Sequence, residues 1–295
     1  MRTSLPDPEP PIYRTRDHAL SIQHLHRVGY KAMEGYHFHD SYEIFYLIKG
    51  ERVYFIEDRV YTARQGDLVI INPHVLHRTT SSSEVQEYER ILIDFKAKFV
   101  NPADWAPGEE LLPFSQKTSM IRFAVEELPD IDRTFREMHE ECRDRRPGYE
   151  AYVRSSLIRL LVRIRRHSLQ DANTVVLSAH PMHDKISEIA AYLNRNYREA
   201  ITLNQIARQF HISPYYLSRV FSKLTGFRFR EYLLAVRVKE AQRLLRESED
   251  RIIDIAQSVG FEHVSHFQMT FKKMLGISPL KYRKLHSSQT VHWEH

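Results

Sequence analysis

The strongest constraint on the fold of this 295-residue chain is a degenerate internal repeat in its C-terminal third. The first copy begins at Leu203 and the second at Ile252, about 50 residues later. An ordinary helical bundle also shows apolar stripes, but it has no reason to repeat apolar, glycine and basic positions together. The repeat therefore predicts two copies of one helical unit. The matching positions are Ile206-Ala207 with Ile255-Ala256, Leu217 with Phe267, Phe221 with Phe271, and Gly226 with Gly276.

Each copy has the residues of two helices joined by a tight turn. In the first copy Ser213 can cap the second helix and Pro214 suits its first position. In the second copy Gly260 supplies the turn, with one extra residue following. The second helix would bury Leu217 and Phe221, or their equivalents, and leave a polar face free to enter a DNA major groove. This pattern predicts a helix-turn-helix.

Charge is distributed unevenly along the chain. From residue 180 onward there are 18 Lys and Arg against 11 Asp and Glu, and residues 1–179 carry 25 against 27. Basic segments often serve only solubility, but phosphate neutralisation requires Lys and Arg. Together with the repeat, the charge predicts a basic DNA-binding domain attached to a nearly neutral domain.

Other features favour a cytoplasmic protein. The only cysteine is Cys142, so no internal disulfide can form. Residues 1–11 are polar and rich in proline, without the apolar segment of a secretion signal. No apolar run approaches the roughly 20 residues of a membrane-spanning helix.

The N-terminal half has the pattern of an antiparallel β domain. Short apolar or alternating runs at 42–48, 53–56, 68–71 and 90–95 are separated by turn residues. Helical spacing follows, with one stripe at Ile131, Phe135 and Met138. We expect a disordered arm at 1–15, a β domain with following helices at 16–167, a linker at 168–182, a DNA-binding domain at 183–286 and a tail at 287–295.

The C-terminal third resembles the AraC family of transcription regulators. The second copy carries the signature Asp254-Ile-Ala256, Gly260-Phe261, Ser265-x-Phe267, Phe271-Lys272, Gly276-x-Ser278-Pro279 and Tyr282-Arg283. The segment joining the copies resembles the linker helix of the family at Phe229, Tyr232, Arg237, Ala241, Leu244 and Leu245. The N-terminal half resembles the cupin-like regulatory domain of many members.

The resemblance implies a multidomain β plus α fold. It consists of an N-terminal cupin-like β-barrel with a following helix pair, and an all-α C-terminal domain with two helix-turn-helix units joined by a long helix. Expected partners are double-stranded DNA, RNA polymerase, a small-molecule effector and a second copy of the chain. For the homodimer, a second apolar stripe could pair between subunits or pack within its own domain. It comprises Tyr152, Leu157, Leu160, Leu161 and Ile164.

Both second helices carry candidate DNA contacts. On the first we expect Tyr215, Ser218, Arg219 and Ser222 to face outward, and Arg219 could contact a guanine or a phosphate. The basic residues Lys223, Lys272 and Lys273 suit phosphates, although each could be an ordinary surface lysine. On the second helix the expected set is more apolar: His263, Val264, His266, Met269 and Thr270.

The β domain contains a histidine and carboxylate pattern that resembles the two cupin motifs, the second imperfectly. It runs His37-x-His39-x3-Glu43-x6-Gly50, then Gly66-Asp67, Pro73 and His77. These side chains could hold a divalent metal, but we expect no metal and favour a small polar effector such as a sugar. The expected effector-binding residues are His37, His39, Glu43, His77, Tyr42, Phe45 and Tyr46.

The sequence thus predicts a transcription activator without catalytic residues, controlled by an effector in the barrel. One alternative is a metal-dependent cupin enzyme or metal sensor fused to a DNA-binding domain. Another is a constitutive DNA-binding dimer whose barrel only dimerises.

Overall fold

The computed structural model divides the chain into two compact units, Met1–Asp184 and Lys185–His295. It describes residues 11–28, 39–80, 87–106, 110–112, 114, 119–170 and 181–286. The predicted tail and most of the predicted linker lie outside the described residues. Among the described helices, none is long and apolar enough to span a lipid bilayer.

The N-terminal unit is built mainly from antiparallel strands. They are β1 (Ile12–Arg14), β2 (Leu20–Val28), β3 (Tyr42–Lys49), β4 (Glu51–Ile56), β5 (Arg59–Arg64), β6 (Asp67–Ile71), β7 (His77–Thr80), β8 (Glu87–Phe95) and β9 (Met120–Arg122). A six-stranded sheet has the order β1-β2-β8-β3-β6-β9, and a three-stranded sheet has the order β5-β4-β7. The predicted β domain is confirmed.

Strand β1 corrects the predicted N-terminal arm. Ile12–Arg14 pairs antiparallel with β2, where Tyr13 lies opposite Ile22. Three residues carry too little periodicity to predict a strand from sequence, so only the pairing with β2 makes β1 recognisable.

The alternating side chains of the large sheet separate two cores. Ile44 and Tyr46 of β3 pack with the helices that follow the strands. Phe45 and Leu47 of the same strand pack instead with Tyr54 of the small sheet. Side chains alternate along a strand, so Glu43, two residues before Phe45, lies on the same side of β3 as Phe45. That side faces the space between the two sheets, here called the inter-sheet interior.

Two helices cover the other face of the large sheet. They are α1 (Leu128–Asp144) and α2 (Tyr149–Gln170). On α1, Ile131, Phe135 and Met138 are fully buried, as their spacing predicts.

The apolar stripe considered for dimerisation packs within its own domain. Leu157, Leu160, Leu161 and Ile164 of α2 are at most 3% exposed and belong to the core under the large sheet. Tyr152 is not part of that stripe, since it is 41% exposed and its hydroxyl donates to Glu137. Its place in the stripe is taken by the neighbouring residue Val153, which is fully buried.

The described part of the C-terminal unit is helical. Its helices are α3 (Pro181–Asn196), α4 (Leu203–Gln209), α5 (Pro214–Thr225), α6 (Phe229–Glu247), α7 (Ile252–Ser258), α8 (Val264–Leu275) and α9 (Pro279–His286). Helices α4 and α5 form the first copy of the repeat, α7 and α8 form the second, and α6 joins them. The predicted double helix-turn-helix architecture is confirmed.

Candidate nucleic-acid interface and interior ligand site

The turns of the two copies follow the same backbone path with different residues. Phe210 and Val259, which end α4 and α7, both have φ −96° and ψ 8°. The next residue is left-handed in each, with φ 55° at His211 and φ 90° at Gly260. The amide after it returns to the buried alanine of the preceding helix, at Ala207 or Ala256, over 2.9 Å. The repeat seen in sequence is therefore a repeat of local structure.

The second helix of each copy begins differently. Before α5, the Ser213 hydroxyl accepts a hydrogen bond from the Tyr216 amide, and Pro214 occupies the first turn, as predicted. Before α8, His263 is the cap residue and its side chain makes no capping hydrogen bond. Both helices end at a left-handed glycine, Gly226 or Gly276.

Helix α5 presents a polar outer face. Tyr215 is 79% exposed, and Ser218, Arg219 and Lys223 are also exposed, while Ser222 is partly buried. The Arg219 guanidinium lies 5.5 Å from the centre of the Tyr216 ring, close enough for a cation–π contact. Such a contact restrains a long side chain that would otherwise be mobile in solvent.

Helix α8 departs from the predicted contact set at two positions. Thr270 is only 6% exposed, because it lies three residues after Phe267 and beside Phe271 on the buried face. Val264 is partly buried against the same core. Met269, His263, Lys272 and Lys273 are exposed, and His266 is partly buried with its ring edge-on to Phe261.

The exposed face of α8 also holds two polar residues that the sequence prediction missed, Ser265 and Gln268. If Phe267 is aligned with Leu217, these two positions correspond to Tyr215 and Ser218 of α5. The repeat itself therefore contained the signal. Gln268 adds an amide that could pair with adenine to a face otherwise poor in hydrogen-bonding groups.

Three of the predicted effector-binding residues converge in the inter-sheet interior. The Glu43 Oε2 atom lies 3.3 Å from His39 Nε2 and 3.2 Å from His77 Nε2. His77 is 1% and Glu43 8% exposed. The His39 and His77 rings are 5.0 Å apart, edge to face. His37 lies outside the described residues.

Electrostatics favour an ionised Glu43. Burial disfavours the carboxylate, but His39 and His77 outweigh this and lower the Glu43 pKa to about 2. Burial likewise disfavours the charged form of His39, and Glu43 outweighs it and raises the His39 pKa.

A second carboxylate, missed in the sequence, borders this cluster. Asp94 of β8 lies directly opposite Glu43 in the strand register and accepts a 2.6 Å hydrogen bond from the Ser41 hydroxyl. Burial raises the Asp94 pKa. Because the pairing joins strands far apart in sequence, no local pattern could have indicated it.

The predicted aromatic residues divide between the two faces of β3. Phe45 lies in the inter-sheet interior, where its ring meets Tyr54. Tyr42 stacks on Phe95 and Tyr46 stacks on Phe135, both on the helix-covered face. The structure therefore does not bring Tyr42 and Tyr46 to the histidine cluster, and we leave them out of the proposed site.

Arginines add further polar groups to the interior. The Arg52 guanidinium lies 4.2 Å from the centre of the Tyr88 ring, and Arg90 lies 5.2 Å from that of Phe45. Burial lowers the Arg52 pKa. The interior thus combines aromatic rings with hydrogen-bond donors and a carboxylate, a combination suited to a small polar ligand.

Comparison with known proteins identifies both units. Residues 24–161 match the family described as the AraC-like ligand binding domain, and residues 206–285 match the one described as a helix-turn-helix domain. Together the two matches cover most of the chain.

Individual relatives agree with these matches. The melibiose operon regulatory protein of Escherichia coli K12 is 32% identical over 100 residues, which are 34% of this chain and 33% of that protein. The alignment thus spans about a third of that relative. The uncharacterized HTH-type transcriptional regulator YbfI of Bacillus subtilis is 27% identical over 253 residues, 82% of this chain and 86% of that protein.

Among solved structures, the C-terminal domain of AraT, a response regulator from Geobacillus stearothermophilus, is 29% identical. It matches 39% of this chain and 98% of its own, with a TM-score of 0.37. The assignment follows from the two matched domains and their order: the chain belongs to the AraC family of transcription regulators, with an AraC-like ligand binding domain followed by a helix-turn-helix domain.

Proposed function

We propose that this protein binds specific duplex DNA through α5 and α8 and responds to a small polar effector, such as a sugar, in the inter-sheet interior. The observation that carries the proposal is the pair of helices with exposed polar faces, each held by the same turn. Tyr215, Ser218 and Arg219 would contact base edges from α5, and Met269 with Gln268 from α8. Lys223, Lys272 and Lys273 would contact phosphates.

The effector part of the proposal rests on His39, Glu43, His77 and Phe45. A sugar offers hydroxyl groups to the polar side chains and an apolar face to the ring. The printed name of one relative, the melibiose operon regulatory protein, supports this ligand class. We propose a regulator rather than an enzyme because two relatives aligned over 82% and 86% of this chain are named as transcriptional regulators.

The proposal further includes a homodimer in the cytoplasm that activates transcription through RNA polymerase. Two DNA-binding domains on repeated half-sites would follow from such a dimer. Since the apolar stripe of α2 is internal, another surface must supply the contact. Sedimentation at micromolar concentration tests the dimer, and a monomer both with and without DNA would exclude it.

The central experiment combines footprinting with a reporter screen. Full-length protein is footprinted on the DNA upstream of its own gene, and reporter transcription is measured against a panel of sugars and glycosides. We expect a protected region that spans two successive major grooves, and a change in transcription with at least one compound. Absence of any protected region on this DNA would contradict sequence-specific binding there.

Substitution of Arg219 tests base contact directly. Arg219→Ala should cost about 1–3 kcal/mol of binding free energy on the protected site, and less on unrelated DNA. Arg243→Ala is the control, because Arg243 is engaged within α6 by Glu240 and Glu247. An equal loss on both DNAs would assign Arg219 to a phosphate instead.

A further inference from the structure

We propose that the inter-sheet interior binds one divalent transition-metal ion through His39 Nε2, the Glu43 carboxylate and His77 Nε2. The inference deepens the proposed function and rests on it only in assigning this metal to the effector site. It also replaces our expectation from the sequence that the barrel holds no metal.

The distances from the carboxylate to the two imidazole nitrogens fit a common ion. Bonds of about 2.1 Å that meet at angles between a right angle and the tetrahedral angle place two ligand atoms about 3.0–3.4 Å apart. The two imidazole nitrogens lie 3.3 and 3.2 Å from Glu43 Oε2. All three residues can offer atoms within 4.8 Å of one another.

The three facing atoms are buried and make no hydrogen bond with other described groups. A buried polar atom without a hydrogen bond is costly, and here three such atoms point at one place. The His–Glu pairs lie within ion-pair distance but make no hydrogen bond. A cation at their centre would satisfy all three at once.

The opposite ring nitrogens fix the orientation of both imidazoles. His39 Nδ1 lies 3.0 Å from the Ser41 carbonyl oxygen, and His77 Nδ1 lies 2.9 Å from that of Val75. A carbonyl oxygen only accepts, so each Nδ1 carries the proton and donates it. In the neutral imidazole this leaves the Nε2 lone pair directed at Glu43. Backbone carbonyls that orient ligand imidazoles in this way are a regular feature of metal sites.

The donor set also indicates the class of ion and of ligand. Two imidazoles and one carboxylate suit zinc, iron, cobalt or nickel, and three protein ligands leave coordination positions open. A small molecule with a hydroxyl, carbonyl or carboxylate oxygen could fill an open position. The metal would then hold the oxygen of the effector, which the histidines would otherwise have to hold directly.

Cobalt titration of the chelator-treated, full-length protein tests this proposal. We expect one Co²⁺ bound per chain, with a visible spectrum typical of nitrogen and oxygen ligands and displaced by Zn²⁺. Glu43→Gln and His77→Gln should each weaken binding by about 100-fold or more. His26→Gln, which removes an exposed histidine of β2 that is paired with Glu87, should leave binding unchanged.

Thermal unfolding of each variant shows whether it is folded. X-ray absorption of the zinc-loaded wild type needs no variant and should show two imidazole nitrogens with oxygen ligands. No Co²⁺ binding by the wild type, unchanged binding in Glu43→Gln, or a zinc environment without two imidazoles would each overturn the metal site. DNA binding is measured separately, so the metal site can fail while the regulator proposal stands, and the reverse.

Discussion

At the scale of single residues, burial sets the protonation state of His139 in the β domain. His139 of α1 has its ring edge-on to Tyr13 and to His24. Its partial burial, with help from the nearby His24 and Arg143, lowers the His139 pKa to about 4. The folded N-terminal unit therefore holds this histidine in the neutral form.

This lowered pKa makes the unit less stable in mild acid. In the unfolded chain His139 takes up a proton near pH 6.5, whereas the folded unit resists it until about pH 4. The unfolded state then binds more protons between these values, so stability is full above pH 6.5 and falls as pH decreases. With allowance for solvent, we expect His139 to contribute a loss on the order of 1 kcal/mol between pH 7 and pH 5.

Urea unfolding of wild type and His139→Gln at both pH values measures this contribution. The variant lacks the titrating group, so its stability should fall less on acidification. Parallel losses in the two proteins would contradict the assignment.

At the scale of elements, the two turns show why the same backbone can need different residues. Gly260 has φ 90°, and a Cβ there would lie 2.8 Å from the Arg198 carbonyl oxygen and 3.0 Å from Arg198 Cα. His211 takes the equivalent left-handed conformation on an exposed part of the first turn. In the second turn, any residue with a Cβ would meet both the penalty of the left-handed conformation and the close approach of the Arg198 backbone.

Alanine at each turn separates these two effects. Gly260→Ala should destabilise the C-terminal unit by about 1–3 kcal/mol, because the left-handed conformation and the contact with Arg198 both penalise the added Cβ. His211→Ala should change stability by no more than about 0.5 kcal/mol, since a Cβ is already accommodated there. Chemical unfolding of the two variants gives the comparison, and similar losses at both sites would show that the clash is unimportant.

The elements also show what could be predicted from the sequence. The repeat predicted both helix-turn-helix units, because apolar spacing, caps and glycines are local signals. It was harder to predict which face of the sheet each β3 side chain occupies. Alternation places Tyr42 and Tyr46 on the face opposite to Glu43 and Phe45, but it does not tell which face lies towards the other sheet. Asp94 joined the cluster only through pairing between distant strands. The histidine and carboxylate pattern itself was visible in the sequence, and three of its residues, His39, Glu43 and His77, do come together.

At the scale of the whole molecule, the two units have separate cores and separate proposed roles. The residues of the second helix-turn-helix pack together with α6 and α9. The caps and turns described above are formed by residues of this unit itself. We therefore expect residues 181–295 to fold and bind DNA alone.

Salt dependence is the appropriate measure for this fragment. Each phosphate neutralised releases counterion, so the logarithm of the binding constant should fall linearly with the logarithm of salt concentration. Replacing an exposed phosphate partner, as in Lys272→Gln, should reduce that slope by about 1 on all sequences alike. A fragment that binds its upstream DNA without salt dependence would contradict the proposed interface.

The last prediction concerns communication from the ligand site to DNA binding. The double variant His39→Ala/His77→Ala should retain the DNA affinity of the wild type measured without effector, and should lose the response to the effector that the reporter screen identifies. A ligand shifts an equilibrium only through contacts that differ between two states, and these histidines belong to the buried cluster proposed to make them. Fluorescence anisotropy on labelled DNA, with and without effector, measures both properties, and His26→Ala, at an exposed histidine of β2, serves as the control. Because neither histidine lies in the C-terminal unit, loss of basal affinity would reveal an unforeseen dependence of that unit on the β domain. A full response in the double variant would place the sensing site elsewhere in the protein and return the histidines to a structural role.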